Sequence, residues 1–134
     1  MRRASPEFQL HEQVADYLSV ALKPPAWWST FPAGGGGAIR GAMLKRVGLK
    51  TGVPDILIIV RGKAFWIELK SHRGTLSPEQ LLAHPILVTA GCPVATCRTL
   101  AEVQLALEGW GVPTREVKPV RPAAHCERRG SVGE

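Results

Sequence analysis

Apolar residues along this chain follow two rhythms. From Pro6 to Leu22 they recur at helical spacing: on a wheel of about 100° per residue, Phe8, Leu10, Val14, Ala15, Leu18, Ala21 and Leu22 form one stripe, which predicts an amphipathic helix. Ser5-Pro6-Glu7 supplies its start, with Ser as N-cap, Pro at the first helical position and an acid in the first turn. Lys23-Pro24-Pro25 ends it, because proline cannot continue a helix and restrains the residue before it. The second rhythm belongs to Asp55–Val60 and Ala64–Lys70. Both runs are rich in β-branched and aromatic residues and are separated by a turn containing Gly62, so they predict an antiparallel hairpin.

The same patterns predict strands over Trp27–Phe31 and Pro93–Arg98 and a short helix over Ala38–Val47. Ser77 and Pro78 open a further helix to about Ala90, which Pro85 is expected to kink or shorten. Thr99, with Glu102 three residues later, caps a last helix to Glu108. The stretch from Lys70 to Pro93 is long enough for a crossover joining parallel strands. The expected fold class is therefore α/β, a central mixed β-sheet flanked by helices, in one domain over residues 1–112. Residues 113–134, rich in Pro, Arg and Gly, are expected to form a mostly disordered basic tail.

The hairpin carries the candidate chemistry. If its turn centres on Arg61-Gly62, Val60 lies opposite Lys63, and counting back along both arms brings Asp55 opposite Glu68. Directly opposed side chains sit about 4.5–5.5 Å apart at Cβ, where like charges repel. Lys70 projects from the same face because side chains alternate along a strand. The other face bears Ile56, Ile58, Val60, Phe65, Ile67 and Leu69, a core surface. A divalent cation held by Asp55 and Glu68 would relieve the repulsion, and hard oxygen ligands suit Mg²⁺ or Mn²⁺. An ordinary surface Glu/Lys pair is the plainer alternative. The joint occurrence of three charges on one face of an apolar hairpin favours the site, and a one-residue bulge would remove it.

Pro54-Asp55, Glu68-Leu69-Lys70 and Gln80 resemble the PD-(D/E)XK nuclease signature. The surrounding GVPDILI, WIELK, G-x-LSPEQ and AGCPVATCRTLAEV resemble the VRR-NUC (virus-type replication-repair nuclease) branch, over about residues 7 to 112. The resemblance implies a restriction-endonuclease-like αβββαβ core and a metal-dependent endonuclease that hydrolyses DNA phosphodiesters. Asp55, Glu68 and the Leu69 carbonyl would then hold Mg²⁺ or Mn²⁺, Lys70 would position water or stabilise developing charge, and Gln80 would have a polar role beside the site. Gln80 also completes a capping-box spacing with Ser77, and the two roles are compatible. In the family the first helix supplies an acid, often followed four positions later by Gln. Glu7 takes that place, reaching the metal directly or through water, with His11 where Gln is expected. The helical wheel agrees: Glu7 and His11 fall mid-stripe, Glu12 at its edge and Asp16 opposite. Stand-alone VRR-NUC proteins resemble junction-resolving enzymes, which implies a homodimer that prefers branched DNA.

Charge narrows the partner. The chain has 134 residues with 17 Lys+Arg against 11 Asp+Glu, a formal net charge of +6. That balance favours nucleic acid. Arg40, Lys45, Arg46 and Lys50 gather positive charge just before the acidic site, where phosphate-backbone contacts would be needed. The glycine run at 34–37 is not a P-loop, since no Gly-Lys-Ser/Thr follows. No apolar run has the roughly 18 residues of a membrane span, and MRRASPEFQL lacks an apolar signal core, so no membrane association and a cytoplasmic location are expected. Three cysteines without CxxC spacing read as free thiols. Two other functions stay open: a non-catalytic, basic nucleic-acid-binding module, and a subunit of a larger replication or repair complex.

Overall fold

The computed structural model of the protein describes residues 4–31 and 37–117. Eight elements follow in chain order: α1 (Pro6–Ala21), β1 (Trp27–Thr30), α2 (Gly37–Arg46), β2 (Ile56–Val60), β3 (Lys63–Leu69), α3 (Pro78–Thr89), β4 (Val94–Cys97) and α4 (Leu100–Trp110). The four strands form one mixed sheet in the order β1-β2-β3-β4. β1, β2 and β3 are antiparallel neighbours, whereas β4 runs parallel to β3. The α3 crossover makes that last pairing reachable, as the length of the connection implied.

The hairpin register is the expected one, with Val60 paired to Lys63 and Ile56 to Ile67. Arg61 and Gly62 both take positive φ at the turn, matching the right-handed twist of the strands they join. Alternation then sends Ile56, Ile58, Val60, Phe65, Ile67 and Leu69 to one face, where all are buried against Leu10, Val14 and Leu18 of α1 and Val103 and Leu107 of α4. This is the core. On the opposite face lie Trp66 and Glu68 of β3 and Lys70 just past its end, all buried as well. Trp66 meets the edge of Phe31 with ring centroids 5.3 Å apart.

Three local expectations need correction. Of the two effects expected of Pro85, shortening does not occur: α3 runs on to Thr89. The ring removes the bond that an N–H at 85 would make to the Leu81 carbonyl, and both residues lie on the exposed side of the helix, where water can serve that carbonyl. At α4, Thr99 caps the Glu102 N–H, yet the Glu102 carboxylate accepts from Arg98 rather than from Thr99, so the box is shifted by one residue. Phe8, placed on the α1 stripe by the wheel, is exposed, since the first turn of α1 projects past the core.

The chain after Val112 does not leave the domain at once. Thr114 bridges Leu22, and Arg115 donates from its backbone N–H to the Ala21 carbonyl and from Nη1 to the Val20 and Leu22 carbonyls, serving the orphan acceptors at the end of α1. Residues 118–134, with Arg121, Arg128, Arg129 and Cys126, lie outside the described residues, as do 32–36. Cys92 and Cys97 are free thiols. Among the described residues no helix is long and apolar enough to cross a membrane.

Candidate active site

Asp55 stands where β2 begins and is fastened twice. Its carbonyl accepts the Phe31 N–H at 2.8 Å, which continues the β1-β2 ladder by one rung. Its carboxylate Oδ2 accepts the Leu69 N–H, also at 2.8 Å. The side chain therefore caps the end of the β2-β3 ladder, and the residue also lines the neighbouring cleft. Glu68 is one residue past the Ile56–Ile67 pair and only 1% exposed.

α3 closes over Glu68. The helix opens with a complete capping box: Ser77 Oγ accepts from the Gln80 N–H at 3.1 Å, and Gln80 Oε1 accepts from the Ser77 N–H at 2.8 Å. Because Oε1 is committed to the cap, the amide nitrogen of Gln80 has to point the other way, and Nε2 donates to Glu68 Oε2 at 2.9 Å. One side chain thus performs both roles. Lys70 Nζ lies 3.4 Å from the same Oε2 and is 9% exposed as a residue. Glu68 Oε1 has no hydrogen-bond partner; His84 Nε2, also buried and unpartnered, stands 3.8 Å away.

These surroundings set the protonation chemistry. Burial, and next the charge of Asp55, push the Glu68 carboxyl up to about 8, with Lys70 opposing them in part. Burial, and next the Lys70 charge, hold His84 below the ordinary histidine value.

A cleft of about 520 Å³ leads to Asp55 and Gln80, walled by Gly37, Gly41, Lys45 and Lys50. With this geometry in view, the sequence itself matches no family model and no curated protein. Solved structures do match. One described as a VRR_NUC domain protein superposes with a TM-score of 0.64 over 81% of this chain and 89% of its own, at 20% identity. The chain has the fold of a VRR-NUC domain. A second such structure, described as a VRR_NUC domain, gives a TM-score of 0.52 over 78% of this chain and 97% of its own, at 18% identity.

Within this VRR-NUC fold the expected site residues fall into two groups. Asp55, Glu68, Lys70 and Gln80 come together, with Leu69 contributing its N–H to Asp55 while its side chain enters the core. Glu7 is half-buried and lines a cavity with His11 and Ser71, the residue after Lys70, whereas Glu12 is exposed. His11 bonds Thr30 Oγ1 at 2.9 Å and so ties α1 to β1. Of the basic residues, Lys45 and Lys50 line the cleft to Asp55; Arg40 lines a separate groove with Ile39, Met43 and Val47, and Arg46 is exposed. Nothing in the motif singled out His84. Its one signal in the sequence is the spacing of four from Gln80, which puts both on one face of α3.

Among the described residues no three His, Cys, Asp or Glu side chains gather closely enough to hold a metal ion. The donor set is two carboxylates with neighbouring backbone, and this suits Mg²⁺, which is commonly bound by one or two carboxylates and otherwise by water. The repulsion between the buried Glu68 and Asp55 is the strain that a cation would offset.

That strain predicts an unusual pH dependence in the metal-free protein. The Glu68 carboxyl rises from 4.5 to about 8 on folding, so the native state holds a proton that the unfolded chain has released. Its contribution to stability is complete below the unfolded value and is lost as pH climbs through the folded one. Thermal unfolding followed by circular dichroism in chelator is expected to show a midpoint that falls between about pH 5 and pH 8. Glu68→Gln should flatten the profile. An equally steep profile in that variant would mean that Glu68 is not the group responsible.

Proposed function

We propose that this protein is a Mg²⁺- or Mn²⁺-dependent endonuclease that hydrolyses DNA phosphodiesters. The observation that carries the reading is the buried Glu68 beside Lys70 and Asp55, with Asp55 lining a cleft that Lys45 and Lys50 also line. Asp55, Glu68 and the Leu69 carbonyl would hold the ion, with Glu7 reaching it through water from the adjoining cavity. When bound, the ion supplies Lewis-acid polarisation of the scissile phosphate.

The chain's own groups do the rest. The Leu69 N–H fixes the Asp55 rotamer, and Gln80 with Lys70 orients the Glu68 carboxylate. The Lys70 ammonium, held in a site largely closed to water, stabilises charge developing on the phosphate oxygens or positions the attacking water. Lys45 and Lys50 hold the backbone on either side. Cleavage assays with linear and four-way DNA, in Mg²⁺, Mn²⁺ and chelator, test the proposal. Full activity in chelator would overturn it, and binding without cleavage in either metal would leave only a binding module.

Positions along the cleft predict the salt response. Lys45→Ala with Lys50→Ala should weaken DNA binding evenly across sequences and lower the log–log salt slope by roughly two units, about 0.9 for each phosphate no longer neutralised. Arg40→Ala, which alters a different groove, should change the slope less. Fluorescence anisotropy between low and physiological salt measures both, and an unchanged slope in the double variant would put the phosphate path elsewhere.

Selectivity for branched DNA and a homodimer complete the reading. α3 leaves Leu82, Ile86 and Val88 exposed beside a groove lined by Lys50, Thr51, Val53 and Glu79. An exposed apolar helix face suits a two-fold contact, in which the same patch meets itself across the axis. Sedimentation at micromolar concentration should give a dimer, and four-way DNA should be cut faster than linear duplex. A monomer that cuts both equally would remove this part and leave the metal-dependent chemistry standing.

A further inference from the structure

Glu68 Oε2 is served by Gln80 and Lys70, but its other oxygen faces His84 Nε2 across 3.8 Å. Neither atom has a hydrogen-bond partner and both are closed to solvent. Buried polar atoms without partners are uncommon in native folds, and a facing donor and acceptor this near need to approach by only about 0.9 Å to reach an ordinary N–H···O distance. The two residues are built to face each other. Gln80 and His84 stand one turn apart on α3, and the Ser77 capping box pins the N-terminal end of that turn. Gly52 packs so closely on the Glu79 backbone that the first turn of α3 has one seat.

We infer that His84 is a positioning residue: its Nε2–H donates to Glu68 Oε1 and, with Gln80 on Oε2, clamps the carboxylate in the orientation that faces Asp55 and the cation. The inference rests on the metal-dependent reading above. In this inference His84 acts through Glu68, whose Oε1 its Nε2 faces, and not as a ligand. Its work is to fix the carboxylate before the ion arrives, so that binding does not have to order it. Groups that orient a metal-binding side chain in this way are worth about 10- to 100-fold in metal affinity.

Two amide variants separate a hydrogen-bonding role from mere packing. The nitrogen of a glutamine at 84 reaches the place of Nε2, whereas that of an asparagine stops one bond short, near Nδ1. Calorimetric titration of the DNA-free protein with Mn²⁺ is the measurement. His84→Leu and His84→Asn should bind Mn²⁺ about 10- to 100-fold more weakly than the unaltered protein, with His84→Gln within about threefold of it. Unchanged affinity in the leucine variant, or a glutamine variant as weak as the asparagine one, would overturn the inference. Should the leucine variant fail to fold, the asparagine and glutamine pair decides alone. Absence of Mn²⁺ binding by the unaltered protein would instead sink the metal-dependent reading itself, and the clamp with it.

Discussion

On the proposed metal-dependent reading, replacing Asp55 with alanine is expected to lower DNA cleavage by at least about 10³-fold while DNA affinity stays within about threefold, because that reading gives the carboxylate to the chemistry and the phosphates to lysines. The variant loses a negative charge and also the acceptor of the Leu69 N–H. A second substitution separates these losses. Asp55→Asn keeps an oxygen for Leu69 but removes the charge, so it should fold as the unaltered protein does and still fail to cleave. Removing the Asp55 charge also takes away a source of repulsion toward phosphate, so any small change in DNA affinity should be a rise rather than a fall. Cleavage and anisotropy assays on the same preparations test all three statements. Cleavage by the asparagine variant near the original rate would show that the carboxylate only caps the ladder.

Gly52→Ala is expected to cost more stability than alanine at any other glycine among the described residues. Gly52 has φ of +84° and its missing Cβ would run into the backbone of Glu79, in the first turn of α3. Neither partner is a flexible side chain that can swing aside. Positive φ costs a non-glycine residue about 1–2 kcal/mol and overpacking a further 1–3, so a loss of about 2–5 kcal/mol is expected. A domain of this size has roughly 5–15 kcal/mol in all, and the thermal midpoint should drop by roughly 10–20 °C. Gly62 provides the comparison, with φ of +81° and open space where its Cβ would go. Gly62→Ala should lose only the conformational part, about 1–2 kcal/mol. Equal losses at the two sites would show that the close approach to α3 is not what Gly52 preserves. Because Glu79 adjoins Gln80, the Gly52 variant should also weaken Mn²⁺ binding, through the Gln80 amide that steadies Glu68.

Local patterns carried much of this architecture. The turn at Arg61-Gly62 and strict alternation along both arms are enough to put Asp55 beside Glu68, because hairpin register follows from turn position and side-chain period alone. The Ser77–Gln80 box is equally local, with donor and acceptor three residues apart on a forming helix. Other features depend on how elements meet. The wheel turned Glu7 inward relative to Glu12, yet wheel position says nothing of where α1 crosses the sheet, and it is the packing that puts Glu7 in a cavity with Ser71. The basic cluster was visible as a run of charges, but only the placement of α2 divides Lys45 from Arg40.

By itself, then, the sequence determined the elements, the hairpin register, the core face and the pairing of Asp55 with Glu68, since each depends on interactions between residues near in the chain or opposite across one turn. The tertiary structure alone decided that Glu68 is buried, that its carboxyl is pushed up to about 8, and that His84 confronts its unpartnered oxygen. All three follow from α3 lying across the second face of β3. A pKa responds to the water removed and the charges brought near, and both are properties of packing that no spacing along the chain encodes.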